Sequence, residues 1–321
     1  MARARPQPGG RHSHAEARGH AARPAGWAGM VSDMRRPGPK PGYALLMVLL
    51  VLVVAAAVLS AAARRCADSA VRAYAAQRNL QVHWGALGCR ATVLPMAEEL
   101  LDASATPTEP IIQEARRAVV LGGMRFNLIV SDEQAKANAG ALAALYGDDG
   151  LKKAVRKLQA GGRGSLEVRL RPVETSEAAL ERPVRYASLD QVFVLAHPSQ
   201  WIGPEAGDGA VVRRRLTCWG PGRINLKRAE VVTLREALGG ALTESQLASL
   251  DDIRRREPEA GVQKILSQLQ LTRQQLETVG GAATDRSACH SLWICVEDRT
   301  RRWYRLFVEE ADGASERTYS W

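Results

Sequence analysis

The stretch that decides the fold is Gly42-Tyr43-Ala44-Leu45-Leu46-Met47-Val48-Leu49-Leu50, which opens an apolar run that continues without a charge to Ala63. A helix from Tyr43 to Ala63 is about 31 Å long, enough to cross the hydrocarbon core of a bilayer once. A cleaved secretory signal has a shorter apolar segment, and its cleavage site follows that segment. Here the candidate cleavage signal, Lys40-Pro41-Gly42 before Tyr43, precedes the apolar run. Cleavage would therefore remove the leader and keep the anchor.

Most of the positive charge lies in the leader. The 321-residue chain has a formal net charge of +10, and residues 1–42 contribute eight basic and two acidic side chains to it, or +6. The 279 residues that follow carry only +4, which is a weak signal for nucleic-acid binding. They are numerous enough for the anchor and one or two domains with hydrophobic cores. Translation could start at Met1, Met30 or Met34, and the sequence does not distinguish among them.

Downstream of the anchor, the sequence predicts an α+β fold. An Ala-rich helical pattern continues to about Leu101, with a kink expected at Pro95. Period-two alternation over Met124–Val130 predicts a half-buried strand, and the strand-like runs Leu292–Val296 and Trp303–Val308 predict a closing hairpin.

Between the first strand and the hairpin the pattern is mainly helical. A helix is predicted over Ala139–Leu158, followed by a short strand over Leu166–Leu170 and an exposed segment over Thr175–Arg185. Thr243-Glu244-Ser245-Gln246 and Thr272-Arg273-Gln274-Gln275 both fit a capping box at the start of a helix.

No catalytic or redox motif is recognisable. The cysteines Cys66, Cys89, Cys218, Cys289 and Cys295 include no C-x-x-C pair, which argues against a zinc ribbon or a thioredoxin-type centre. On one continuous strand Cys289 and Cys295 would be about 20 Å apart, too far for a disulfide. His83, His197 and His290 lack a nucleophile signature such as G-x-S-x-G. The sequence predicts a non-enzymatic protein, although a hydrolase whose residues meet only in the fold stays an alternative.

Several segments, in order, resemble the type II secretion system protein K family, a large minor pseudopilin. Gly42 to Leu50 looks like its prepilin cleavage site and helix start, and Asp132, Glu133, Lys136 and Asn138 match its D-E-x-x-K-x-N segment. Residues 186–192 are similar to its S-L-x-E-L stretch, and residues 291–310 to its closing hairpin. Ile224-Asn225 matches the start of its I-N-x-N-T-A motif, but Lys227 and Arg228 replace the second Asn and the Thr.

The resemblance implies a pilin-like α/β domain with a large, mainly helical insertion. The expected parts are a leader (1–42, removed), a transmembrane and extended N-terminal helix (43–104), a two-segment sheet domain (105–135 and 284–321) and the inserted domain (136–283). It also implies cleavage by prepilin peptidase between Gly42 and Tyr43, N-methylation, and a single pass through the inner membrane with the bulk of the chain in the periplasm. The membrane and assembly contacts would be made by the helix residues Ala44, Leu45, Leu46, Met47, Val48 and Leu49.

The implied partners are the I and J minor pseudopilins and the major pseudopilin, with no nucleic acid. Most pilin-like subunits carry a glutamate at mature position five, where it meets the N-terminal amine of a neighbour. Here that position is Met47, which fits a subunit at the pseudopilus tip, with no subunit above it to supply that amine.

Family members can bind calcium through clustered carboxylates in the inserted domain. In this chain the acidic residues are scattered and lack the alternating spacing of a calcium loop. No cofactor is therefore predicted, and calcium rests on the resemblance alone. The secreted substrates, the disulfide pattern and the distinction from related pilus-like machines are not readable from the sequence.

A membrane-anchored nucleic-acid binder is the rival hypothesis. Residues 224–250 have some character of a helix-hairpin-helix unit, whose backbone amides hold a phosphate. The turn Gly239-Gly240-Ala241 lacks the usual apolar-Gly-x-Gly form, and Asp251 and Asp252 would repel a phosphate nearby.

Overall fold

The computed structural model describes residues 41–106, 112–160, 166–172, 186–194, 198–202, 207–298, 301–310 and 316–320. Residues 1–40 of the predicted leader, the glycine-rich residues 161–164 after the predicted helix, and the segment predicted as exposed over Thr175–Arg185 lie outside these ranges. By its contacts the chain divides into two units, Met1–Asp68 and Ser69–Trp321. The described part of the first unit is helix alone.

The apolar run forms the start of helix α1, Pro41–Val93. A 3-10 turn at Leu94–Met96 and a short helix α2, Ala97–Asp102, follow it. Pro95 stands at the first turn of the 3-10 segment, where its missing N–H group costs no hydrogen bond. The kink predicted at Pro95 is therefore a change of helix type.

A five-stranded antiparallel sheet has the order β1-β2-β7-β8-β9. Its strands are β1 (Glu114–Leu121), β2 (Met124–Asp132), β7 (Cys289–Glu297), β8 (Arg302–Glu310) and β9 (Glu316–Ser320). The predicted strand and closing hairpin are confirmed as β2, β7 and β8. Cys289 and Cys295 both lie on β7 and are free.

The second half of α1 packs on one face of this sheet. Val82, Ala86 and Cys89 of α1 share a core with Phe126 and Leu128 of β2. Gly85 permits the close approach, because a Cβ atom there would lie 2.3 Å from Cζ of Phe126.

The chain between β2 and β7 is mainly helical, as predicted, so the α+β fold class is confirmed. Its first part contains β3 (Ala137–Asn138), α3 (Ala139–Gln159), α4 (Gly207–Arg215) and β4 (Leu216–Thr217). Strands β3 and β4 pair in parallel. The core of this part includes Leu151 and Phe193 together with Trp293 and Leu306 on the other face of the sheet.

The second part of the insertion has its own core. It contains β5 (Ile224–Asn225), α5 (Val231–Ala237), α6 (Glu244–Arg256), α7 (Val262–Gln268), α8 (Arg273–Ala282) and β6 (Ala283–Thr284). β5 pairs with β6 in parallel, which joins the two ends of the helical segment. Leu234, Leu250 and Ile265 are fully buried in this core.

Two local predictions need correction. The helix over Ala139–Leu158 is broken at Gly147, whose φ of 69° places it in the left-handed region. The strand predicted over Leu166–Leu170 is a single bridge between Val168 and Phe193. The edge strands β1 and β9 were not predicted. The predicted domain boundaries stay predictions.

Candidate functional site: the anchor helix and the root of the insertion

The predicted cleavage and membrane residues occupy the first turns of α1. Gly42 has no heavy atom within 4 Å of where a side chain would begin, and Tyr43 is 62 % exposed. The residues predicted to contact membrane and partners, Ala44 to Leu49, are all exposed. By length and composition, one helix in the described chain, Gly42–Asp102, is long and apolar enough to cross a membrane. The role of each residue in cleavage and assembly stays a prediction.

The root of the insertion is organised around Asp132, the last residue of β2. The Asp132 carboxylate accepts hydrogen bonds from the backbone N–H groups of Gln134 at 2.8 Å and Ala135 at 3.0 Å. It also accepts one from Nδ2 of Asn225 at 2.9 Å and one from the hydroxyl of Ser287. Asp132 is fully buried. One carboxylate thus joins the strand that enters the insertion, a strand within the insertion, and the segment that leads back to the sheet.

Glu133 and Lys136 form a second buried contact beside the first. Nζ of Lys136 lies 2.6 Å from Oε1 of Glu133, and both side chains are almost fully buried. The hydroxyl of Ser291 on β7 donates to the same carboxylate oxygen. The ion pair therefore fixes the 3-10 turn Glu133–Ala135 against the returning strand.

Asn138 begins helix α3. Its Oδ1 accepts a hydrogen bond from the backbone N–H of Ala141 at 3.0 Å, as an N-cap residue does. Its Nδ2 donates to the carbonyl oxygen of Trp219 at 3.0 Å, so Asn138 also holds α3 to the segment after β4.

Ile224 and Asn225 form strand β5, and both are buried. Ile224 lies in the core of the helical segment and Asn225 reaches Asp132. The structure therefore brings the sequence-predicted residues Asp132 and Asn225 into direct contact, with Glu133 and Lys136 alongside.

Arg228 and His290 belong to the same region, although the sequence analysis gave neither of them a role. Nη2 of Arg228 lies 2.7 Å from Asp102 and 3.4 Å from Glu98, while its Nε lies 3.8 Å from Asp132. Nε2 of His290 lies 3.0 Å from Glu98. Arg228, which replaces the family's Thr, thus links the helical segment to helix α2.

These contacts shift the pKa values of two carboxyl groups in opposite directions. Burial raises the pKa of Asp132 above its ordinary value, against the opposing effects of His290, Ser287 and Arg228. The hydrogen bond with His290, assisted by the charge of Arg228, lowers the pKa of Glu98, against the opposing effect of partial burial. Glu98 is therefore the charged partner of the two basic side chains.

The arrangement is suited to holding segments together, and it contains no recognisable nucleophile. Ser287 and Ser291 donate to buried carboxylates rather than to a histidine. Burial raises the pKa of the Cys289 thiol, which disfavours a thiolate. Within the described ranges no group of three or more His, Cys, Asp or Glu side chains could hold a metal ion.

The helix-hairpin-helix hypothesis requires free backbone amides at the start of a helix. At α6 these amides are used internally, since Thr243 and Gln246 form a capping box. Thr272 and Gln275 do the same at α8. Nε2 of Gln246 donates to the carbonyl oxygen of Gln270 at 2.9 Å, and Nε2 of Gln275 donates to that of Ala241 at 2.8 Å. The two helix starts bind each other, which argues against a phosphate site there.

Comparison with known proteins gave one kind of match. No protein-family model and no curated protein matches the chain. Among solved structures, the chain is similar to one in the crystal structure of the GspK–GspI–GspJ complex from the enterotoxigenic Escherichia coli type 2 secretion system. The two share 14 % sequence identity, and the match covers 78 % of this chain and 99 % of that chain with a TM-score of 0.43. The chain is thus similar to one protein of a secretion-system complex.

Proposed function

We propose that this chain is a minor pseudopilin of a type II secretion system. Prepilin peptidase would remove residues 1–42, and the mature chain would stay in the inner membrane through α1, with its bulk in the periplasm. It would then assemble with the I and J minor pseudopilins at the tip of the pseudopilus, above the major pseudopilin, and support protein secretion across the outer membrane. In this role the chain is a structural component and not an enzyme.

The observation that carries the proposal is the construction of α1. Residues 43–63 are uncharged and apolar, and all of them are exposed along the helix. This is expected of a helix that packs in lipid and against other helices. Further along the same helix, Val82, Ala86 and Cys89 are buried against an antiparallel sheet. One helix therefore serves as candidate anchor and as part of the core of a soluble domain, and the candidate cleavage signal precedes it.

The insertion between β2 and β7 supports the K-type assignment. The motif-like residues Asp132 and Glu133 lie where the insertion leaves the sheet, and Asp132 contacts Asn225 within the insertion directly. The nucleic-acid alternative has less support, because the helix starts it would use are capped by their own side chains.

Processing is the first test. The membrane-purified chain is expressed with and without prepilin peptidase, and its intact mass and N-terminal sequence are measured. We expect a chain that begins at an N-methylated Tyr43 only when the peptidase is present. An uncut chain in both cases would contradict the proposal.

Gly42→Asp tests the same step in cells. We expect this variant to keep its leader and to abolish secretion. Gly88→Asp is the matched control, because Gly88 lies on the same helix and also has no heavy atom within 4 Å of an added Cβ. Normal secretion by Gly42→Asp would contradict the assignment.

A further inference from the structure

Strand β1 is an open edge of the sheet. It pairs with β2 on one side, and within the described residues no strand pairs with it on the other. Arg116, Arg117 and Ala118 are exposed, and Val120 is 69 % exposed. An exposed edge strand presents unpaired N–H and C=O groups that can pair with another chain.

The turn between β1 and β2 fixes which backbone groups are unpaired. Gly122 and Gly123 have φ values of 58° and 77°, as in the two-residue turn that closes a tight hairpin. In such a hairpin Leu121 and Met124 exchange hydrogen bonds, and every second pair along the ladder does the same. The N–H and C=O groups of Arg116, Ala118 and Val120 therefore point toward the open edge.

A groove of about 660 Å³ runs along the sheet next to this edge. Its lining includes Arg116 and Ala118 of β1, Arg125 and Ile129 of β2, and Trp293 of β7. Helix α4 closes one side with Arg213, whose guanidinium binds Glu114 through contacts of 3.0 and 2.9 Å. The groove thus combines an apolar floor, a basic rim and an adjacent row of free backbone groups.

Trp293 forms part of the floor of this groove. The residue is only 2 % exposed, and among the described residues its buried Nε1 has no hydrogen-bond partner. Because this atom is shielded from solvent, Trp293 contributes apolar surface to the groove and not a donor for a ligand.

The charges around the groove indicate the kind of acceptor. Arg213 is neutralised by Glu114 and Arg302 by Glu297. Arg125 donates to the neutral Asn127, and Arg116 has no carboxylate partner among the described residues. Two guanidinium groups at the groove that contact no carboxylate in the described residues favour a ligand with carboxylates.

We propose that the groove beside β1 binds an extended acidic segment of a partner protein. The segment adds to β1 as a sixth strand of the sheet and places its carboxylates against Arg116 and Arg125. A strand is favoured over a small anion because it also pairs with the free groups of Arg116, Ala118 and Val120. The inference does not depend on the proposed function.

The test uses the full chain in detergent and a dye-labelled peptide of alternating glutamate and valine, eight residues long. Fluorescence anisotropy measures its affinity, with the matching lysine–valine peptide as the control ligand. We expect the acidic peptide alone to bind, with an affinity that falls as salt screens the charges.

Arg116→Ala and Arg125→Ala should each weaken binding about tenfold, because each removes a charge-assisted hydrogen bond. Arg273→Ala is the control variant, since the Arg273 side chain is 93 % exposed on α8, and it should bind normally.

Ala118→Pro tests strand addition itself. Proline removes an N–H group that points away from β2, so an edge strand tolerates it, but the peptide loses a partner. We expect this variant to unfold at the same urea concentration as the parent chain and to lose peptide binding, whereas Ala118→Ser, which keeps the N–H group, should bind normally. The proposal is overturned if neither peptide binds at a concentration of about 1 mM, because a dissociation constant above that value means negligible affinity. It is also overturned if both peptides bind equally, or if folded Ala118→Pro binds as the parent does, which would indicate an anion site without strand pairing.

Discussion

At the scale of single residues, Asp132 joins segments that are far apart in the sequence. Its carboxylate accepts hydrogen bonds from Asn225, 93 positions away, and from Ser287, 155 positions away. The backbone donors of Gln134 and Ala135 complete its set of partners. The side chain therefore fixes both the turn that opens the insertion and the distance between its two ends.

Asp132→Ala should strongly destabilise the Ser69–Trp321 unit. The substitution leaves two backbone N–H groups and two side-chain donors without their acceptor, and each buried unpaired group costs about 1–3 kcal/mol. We expect a loss of at least about 4 kcal/mol in the free energy of unfolding, measured with urea. Asp149→Ala is the control, because the Asp149 side chain is 92 % exposed, and it should change stability by less than about 0.5 kcal/mol. Equal effects of the two substitutions would show that the Asp132 contacts do not support the fold.

The Glu114–Arg213 pair predicts a pH dependence. Burial alone would raise the pKa of Glu114, but the charge and hydrogen bonds of Arg213 lower it below its ordinary value. The folded state therefore binds this proton more weakly than the unfolded state, whose pKa is about 4.3. The stabilisation is present above about pH 4.3 and is lost as the pH falls through the folded-state pKa.

Glu114→Gln measures this contribution. At pH 7 we expect a loss of about 3 kcal/mol, because Arg213 is buried and would lack an anionic partner. The difference from the parent chain should narrow as the pH is lowered from about 5 to about 3. Urea unfolding at several pH values checks it, with the exposed Glu277→Gln as control. A difference that stays constant across this range would refute the assignment.

At the scale of elements, helix α1 depends on a glycine where it crosses the sheet. Gly85 faces the Phe126 ring and Gly88 faces open space. The same substitution at the two positions therefore separates the effect of helix propensity on stability from the effect of packing on stability.

Gly88→Ala should stabilise the chain by about 0.5–1 kcal/mol, because alanine loses less conformational entropy in a helix. Gly85→Ala should destabilise it by about 1–3 kcal/mol, because its Cβ would overlap Phe126 and push the helix from the sheet. The measurement is the free energy of unfolding of both variants. Similar values for the two would mean that α1 does not pack closely at Gly85.

At the scale of the whole molecule, the proposed tip position predicts tolerance at Met47. A carboxylate costs about 2.5–3.5 kcal/mol at the centre of a membrane helix, whereas Met47 lies in the second turn of α1, where the cost would be smaller. A tip subunit has no neighbour above it to supply a partner for the charge, so the glutamate is not required there. We expect Met47→Glu to reduce tip assembly little or moderately, with Met47→Leu unchanged, as measured by co-purification of the minor pseudopilins. Complete loss of assembly by Met47→Glu alone would count against the tip placement.

Local patterns in the sequence predicted several elements of the fold. The apolar run from Tyr43 predicted the start of α1, alternation predicted β2, β7 and β8, and the Thr–Gln pairs predicted the capping boxes of α6 and α8. These elements are readable because each depends on side chains a few positions apart. Edge strand β1 was missed, since one of its faces is open and its burial does not alternate.

The sequence by itself determined the long apolar helix, the strand that opens the insertion and the hairpin that closes the sheet, because hydrophobic periodicity and helix caps act locally. Only the tertiary structure decided that Asp132 meets Asn225 and Ser287, that Arg228 bridges to α2, and that β1 and Trp293 line one groove. Those contacts join residues about 100 or more positions apart, and their geometry follows from sheet register and from packing of the insertion. No local pattern encodes that geometry.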